Sequence, residues 1–391
     1  MAEIIGISAS DPRRRICWIT TTPFIANAFL SPHLECLAGE YAVTLVVNLR
    51  DDYPLRPLSG AIRVFGVPLN RKVAPLADLR AVAAIFSILR ASKFHAVHTF
   101  APKAGLLGML AAWLARVPIR IHTFQGEVWA SRRGLGRLVL WATDWLTSRL
   151  ATHRLVVGSG EKSFLIASGI LPSDKAEVLA DGSIAGVDLD KFQPDPDARK
   201  RIRADLGLRP SELIILFLGR LVRDKGVLDL ADAFVRLAPR IPNAALVFVG
   251  PDEEDMQAKI VQLANVVRGR ISFAGYTDRP SRFLAAADVL CLPSYREGFS
   301  TAILEAAACR VPAIATRIYG TENAVVDGVT GQLYEAGNIE QLTCALVRLL
   351  EDAQLRSNMG LAARERAVRR FSRTRLTQAM LEYYRSIFQE K

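Results

Sequence analysis

The stretch that decides the fold is Pro293-Ser294-Tyr295-Arg296-Glu297-Gly298-Phe299-Ser300-Thr301-Ala302-Ile303-Leu304-Glu305-Ala306-Ala307-Ala308, followed by Val311-Pro312-Ala313-Ile314-Ala315-Thr316. Before it, Val289 to Leu292 is an apolar run that reads as a strand. Ser300 is a good N-cap, and the Ala/Leu-rich run behind it reads as a helix leading to the next short strand. Strand, loop and helix in that order make an anion site. The backbone N–H groups near Gly298 to Thr301 lie at the positive end of the helix without helical partners, and Gly298 lets a phosphate approach the backbone. Glu297 and Glu305 bracket this opening with seven residues between them. Eight steps at about 100° leave them roughly 80° apart on a continuous helix, so the two carboxylates suit two parts of one extended ligand.

Upstream, Leu213 to Leu218 reads as a strand, followed by Gly219-Arg220-Leu221-Val222-Arg223-Asp224-Lys225-Gly226 and a helix over 227–237. A glycine at a strand end with two cations behind it supplies the positive charge that a departing diphosphate needs. Taken alone, such a loop also serves as a solvated turn. Elsewhere, short apolar strands (16–20, 43–48, 64–68, 97–99, 120–123, 154–157, 245–250, 271–275) alternate with helices of similar size. That alternation predicts an α/β chain with parallel sheets covered on both faces, and ligands collect at the carboxyl ends of such strands. The composition change between Ala180 and Pro196 marks a boundary.

With these residues in place, the chain resembles the GT4-type family of retaining glycosyltransferases with the GT-B fold, a group rich in bacterial enzymes of polysaccharide and lipid-linked oligosaccharide assembly. Glu297-x7-Glu305 is similar to the family's donor-sugar signature, and Gly219-Arg220 to Lys225-Gly226 to its Gly-Arg-x4-Lys-Gly element. The resemblance implies two Rossmann-like domains facing a cleft. These are an acceptor-side domain over 1–182, a nucleotide-sugar donor domain over 183–368, and a C-terminal helix over 369–391 that crosses back to the first. It also implies roles. Glu297 contacts the donor sugar and its developing positive charge, and Glu305 contacts the ribose. Arg220, Lys225 and the backbone around Gly298, Phe299, Ser300 and Thr301 hold the diphosphate. His122, in Ile121-His122-Thr123-Phe124, matches the histidine that reaches the donor sugar from the first domain, although a lone histidine at a strand end is also commonly structural.

One departure stands out. Many family members carry Gly-Gly after the first strand, where this chain has Thr21-Thr22-Pro23-Phe24, so acceptor contacts there would come from hydroxyls instead of bare amides. Asp188-Leu189-Asp190 has the Asp-x-Asp spacing of metal-dependent transferases, yet no further carboxylates cluster near it and it reads as a turn, so no metal or other cofactor is expected. Gly158 to Ser163 lacks the order of a phosphate loop and reads as a helix start.

Of the 391 residues, half are apolar and 23% charged, which fits a globular chain long enough for two cores. The net charge of +11 is uneven: residues 1–182 carry 21 Lys/Arg against 13 Asp/Glu, and the rest 29 against 26. A basic first half suits an anionic membrane, a phosphorylated acceptor or nucleic acid, and equally a solvated basic face. No base-reading motif accompanies the charge, so a nucleic-acid partner is not expected. Five cysteines without CxxC spacing read as reduced thiols of a cytoplasmic protein. Arg13-Arg14-Arg15 before an apolar run looks superficially like a signal peptide, but Thr20-Thr21-Thr22-Pro23 interrupts it and a first strand and loop is the better reading. The run 104–117 is too short to span a bilayer. The helix over 135–151 combines Trp141 and Trp145 with Arg137 and Arg149, compatible with an interfacial helix or with a core stripe.

The reading that results is a metal-independent hexosyltransferase. It takes a nucleotide-sugar, a UDP-sugar by preference, to a polyprenyl-diphosphate-linked saccharide or related glycan, and works peripherally at the inner face of the cytoplasmic membrane. A nucleotide-sugar epimerase on the same scaffold is the enzyme alternative, and a non-catalytic nucleotide-sugar-binding protein at the membrane is the other.

Overall fold

The computed structural model describes residues 12–51, 53–70, 74–173 and 175–389. The chain divides into two units, Met1–Ala185 with Thr374–Lys391, and Gly186–Arg373. The crossings therefore fall slightly beyond residues 182 and 368.

The first unit is built on seven strands: β1 (Arg15–Ile19), β2 (Ala42–Val47), β3 (Ile62–Gly66), β4 (Ala96–Phe100), β5 (Ile119–Phe124), β6 (His153–Val156) and β7 (Glu177–Val178). They lie in the order β3-β2-β1-β4-β5-β6-β7, and every neighbouring pair is parallel. Burial on both faces explains why β1 and β2 are mostly apolar without alternation, and why even His98 and Thr99 of β4 are buried. Between β1 and β2 the sequence predicts one plain helix. Instead a short helix (Pro23–Ile25) runs through a five-residue π-turn (Ala26–Leu30) into a helix over Ser31–Ala38. Pro32 accounts for this: it has no N–H to give the carbonyl four residues back, and the widened turn, closed by Ser31 N–H to Ala26 O, comes immediately before it.

The C-terminal stretch is two helices, not one. Ala353–Phe371 ends at Ser372, which is extended, and Arg373–Gln389 then enters the first unit. There Tyr384 is fully buried; its hydroxyl accepts a hydrogen bond from Trp18 Nε1 at 2.8 Å and lies 3.1 Å from His98 Nδ1. The last helix is thus part of this unit's core.

The second unit has six parallel strands, β8 (Leu213–Leu218), β9 (Ala244–Val249), β10 (Ile271–Phe273), β11 (Val289–Leu292), β12 (Ala313–Thr316) and β13 (Gly331–Tyr334), in the order β10-β9-β8-β11-β12-β13. Sequence order reverses between β8 and β11, so the loops leaving those two strands open a crevice at their carboxyl ends. Asp288 braces the entry to β11: it accepts from Arg199 and Arg203 of one helix and from the Ile214 N–H of β8, at 2.6 to 2.7 Å.

Candidate active site

The crevice at the reversal between β8 and β11 gathers the second-unit residues that the sequence singles out. The loop after β8 ends in a turn over Arg223–Lys225, and Gly226 follows with φ of +65°. A β-carbon on Gly226 would stand 2.0 Å from the Pro293 carbonyl oxygen, so only glycine lets the two loops meet. They are also joined by Tyr295 N–H to Asp224 O at 2.9 Å and by the Tyr295 hydroxyl to Asp229 Oδ2 at 2.6 Å. This contact carries Lys225 to Glu297: Nζ lies 2.5 Å from Oε1, with both side chains mostly buried. Ser294 Oγ donates to the same oxygen at 2.8 Å. Oε2 meets no donor among the described residues and is left for a ligand.

Behind Glu297 stands Gly320, where a β-carbon would fall 2.2 Å from the Glu297 carbonyl oxygen. Thr316 and Thr321 hold this wall, Thr316 Oγ1 donating to Ser294 O and Thr321 Oγ1 to Thr316 O. The helix Thr301–Ala308 begins after Ser300, which occupies the cap position with extended backbone but makes no side-chain capping bond. The Ser300 N–H donates to Gly320 O at 3.2 Å, whereas neither Phe299 nor Thr301 N–H meets an acceptor among the described residues. The free donors at the helix start are therefore interrupted and not a continuous run. Glu305, one turn into the helix, is half-buried, and burial pushes its pKa up to about 7 against the pull of Lys191 and Arg373. Arg220 is more open and pairs with Glu253 at 2.8 Å.

Asp188-Leu189-Asp190 is a turn. Asp188 Oδ1 accepts from the Asp190 and Lys191 N–H groups at 3.1 Å each, and its other oxygen binds Arg373 at 2.7 Å. In the first unit, His122 lies near the end of β5, buried, with Nδ1 2.7 Å from the Thr99 hydroxyl. Burial lowers its pKa to about 3, so the ring is neutral at ordinary pH. Thr22 caps the Pro23 turn by accepting from Ile25 N–H at 3.4 Å, and Thr21 is buried beside it. Ser294, Glu253, Asp229 and Gly320 were not legible as site residues. Ser294 lies inside the deciding stretch, but nothing local marks the other three, which arrive from separate segments: Asp229 from the helix Val227–Leu237, Glu253 from a loop and Gly320 from the short helix Tyr319–Glu322.

A carboxylate paired with an ammonium at the strand reversal of a parallel sheet, close to free amides at a helix start, offers both signs of charge to one ligand. The profile described as "Glycosyl transferases group 1" matches residues 198–366, and "Glycosyl transferase 4-like domain" matches residues 33–182. The capsular polysaccharide biosynthesis glycosyltransferase CapM of Staphylococcus aureus is 28% identical over 83% of this chain and 85% of its own. The UDP-Gal:alpha-D-GlcNAc-diphosphoundecaprenol alpha-1,3-galactosyltransferase of Escherichia coli is 30% identical over 76% of this chain and 77% of its own. Among solved structures, sucrose-phosphate synthase of Thermosynechococcus elongatus superposes with a TM-score of 0.82 over 97% of this chain and 100% of that one at 22% identity, which shows a shared fold. The chain belongs to the GT4-type glycosyltransferases of the GT-B fold, and is a transferase enzyme.

Proposed function

We propose that this glycosyltransferase moves a hexose-type sugar from a UDP-sugar to a polyprenyl-diphosphate-linked saccharide, with retention at the anomeric carbon and without a metal. The observation that carries the reading is the Lys225–Glu297 pair at 2.5 Å, set beside unpaired backbone amides. Breaking a sugar–phosphate bond builds positive charge on the ring and negative charge on the nucleoside diphosphate, and the pair offers the matching charge to each side. An incoming diphosphate draws the Lys225 ammonium toward its oxygens. Glu297, still fixed by Ser294 on Oε1, then accepts a sugar hydroxyl on Oε2 and faces the ring as charge develops. Arg220 exchanges Glu253 for phosphate with little loss, since an exposed ion pair is worth about 0–1 kcal/mol. These cations and amides take the role a divalent ion plays in other transferases. For His122 the family resemblance implies contact with the donor sugar, and a neutral ring can give or take one hydrogen bond there. The lipid-diphosphate acceptor is supported by the E. coli relative's stated activity and by the basic first unit.

The test is nucleoside-diphosphate release from UDP-, GDP- and ADP-sugars, with and without a polyprenyl-diphosphate saccharide and EDTA. Acceptor-dependent release from a UDP-sugar that survives EDTA and drops roughly a hundredfold in Glu297→Gln, about 3 kcal/mol of transition-state stabilisation, is the expected result. Sugar interconversion without acceptor would establish the epimerase instead, and binding without turnover would remove the catalytic reading.

A further inference from the structure

The helix Gly134–Leu150 of the first unit is seated inside out. Its buried residues are the polar ones, Asp144, Thr147 and Ser148. Asp144 accepts from Trp129 Nε1 at 2.8 Å, Thr147 Oγ1 donates to Thr143 O, and the Ser148 carbonyl accepts from Arg154. Leu140, Trp141 and Leu150 pack partly buried against the unit's cores, but five apolar residues face out: Leu135 is 76% exposed, Leu138 62%, Val139 55%, Leu146 39% and Trp145 36%. At about 100° per residue these five fall on one face of about 120°, opposite the buried polar residues. Water-soluble helices are ordinarily arranged the other way round. The two tryptophans of this helix separate accordingly: Trp141 turns in and donates to Ser168 O at 2.9 Å, and Trp145 stays out beneath the Arg149 guanidinium, 5.1 Å from its ring centre.

The charge on this surface has one sign. Arg132, Arg133, Arg137 and Arg149 are exposed, and the only acidic residue between Val128 and Arg154 is the buried Asp144. A second copy meeting this face symmetrically would set four arginines against four, which disfavours self-association. An exposed apolar stripe bordered by arginines is complementary to a bilayer with anionic headgroups, the apolar side chains entering the boundary of the acyl region and the cations remaining at the phosphates. Trp113 and Leu114, both about half exposed, end the neighbouring helix Pro102–Leu114, and Arg120 binds the Leu150 and Val117 carbonyls at and just beyond the ends of the two helices.

We propose that the outward face of Gly134–Leu150 is the surface by which the protein docks on an anionic membrane. The purpose of such docking rests on the lipid-linked acceptor reading, but its test does not. Purified full-length protein is sedimented with phosphatidylcholine vesicles of graded phosphatidylglycerol content, alongside Leu135→Gln/Leu138→Gln/Val139→Gln and Arg132→Gln/Arg133→Gln/Arg137→Gln. All six positions are exposed, and circular dichroism checks that both variants fold. Wild type is expected to bind in proportion to phosphatidylglycerol and to be released by salt. The leucine-face variant should lose roughly tenfold or more in partition coefficient, and the arginine variant about fivefold per residue removed. Equal binding by all three proteins, or no binding by wild type, would overturn the proposal. So would self-association in sedimentation equilibrium that the leucine-face variant abolishes, which would give the face to a second copy. Transfer to a short-chain, detergent-soluble polyprenyl-diphosphate saccharide separates the two readings. Equal transfer by all three proteins without vesicle binding keeps the acceptor and removes the docking face, and vesicle binding without such transfer does the reverse.

Discussion

Two carboxylates eight positions apart do different work because their surroundings differ. Glu297 sits against an ammonium and a hydroxyl, while Glu305 is half-buried without such a partner among the described residues and holds its proton up to about pH 7. Its ordinary pKa is 4.5, so the folded chain binds this proton more tightly than the unfolded chain, and the stability it lends is lost as pH rises from about 4.5 to about 7. In the proposed role of Glu305, the ribose hydroxyls need an acceptor, and only the ionised carboxylate is one without a proton to lose. Affinity for an intact nucleotide-sugar, whose diphosphate does not titrate in this range, should therefore strengthen by up to about tenfold from pH 6 to pH 8. Isothermal titration at the two pH values checks this, and the slope should vanish in Glu305→Gln. The neutral His122 adds no slope above pH 5. Lys225→Met should cost roughly a hundredfold in kcat/KM, and a double change with Glu297→Gln should cost far less than the product of the singles, because the two groups act as a unit.

At the level of elements, the site depends on two loops and a wall pressed together where only hydrogen fits. Gly320→Ala places a methyl group into the Glu297 carbonyl, and the rigid neighbour is backbone, so the loop bearing Glu297 must shift. Kinetics and thermal melting together should show a large fall in kcat with a stability loss of about 1–3 kcal/mol. Ser300 tests the converse. It stands at the cap position without making the capping bond, so Ser300→Ala should cost less than about 0.5 kcal/mol in urea unfolding, below the usual ~1 kcal/mol for a lost cap. The sequence marked Ser300 correctly as the position where the helix starts. That its amide is taken by Gly320 depends on the short helix Tyr319–Glu322, twenty residues away, which no local pattern reports.

Over the whole molecule, the last helix starts in one unit and completes the core of the other. Tyr384 fills a fully buried position and serves Trp18 and His98 with one hydroxyl. Tyr384→Phe strands a buried indole N–H, which costs about 1–3 kcal/mol; Tyr384→Ala adds a cavity and should cost about 3–5 kcal/mol. Urea unfolding followed by a first-unit probe such as Trp18 fluorescence should show both losses. Arg385 fastens the same helix to Glu40, but on the surface, and Arg385→Ala should change stability by no more than about 1 kcal/mol.

The alternation of apolar strands with helices, the glycines and cations after β8, and the Glu-x7-Glu stretch are local facts, and from them alone the α/β class, the parallel sheets and the residues that meet at the β8–β11 crevice were readable. The break of the C-terminal stretch at Ser372 has no such local mark, and the π-turn ahead of Pro32 went unread although the proline itself is its cause. Only the tertiary structure decided that Lys225 and Glu297, 72 residues apart, share a hydrogen bond, since strand order is set by long-range pairing. It alone also turned Leu135, Leu138 and Leu146 of Gly134–Leu150 outward: periodicity gives a helix its two faces, but the buried partners of Asp144 and Ser148 choose which of them meets the protein.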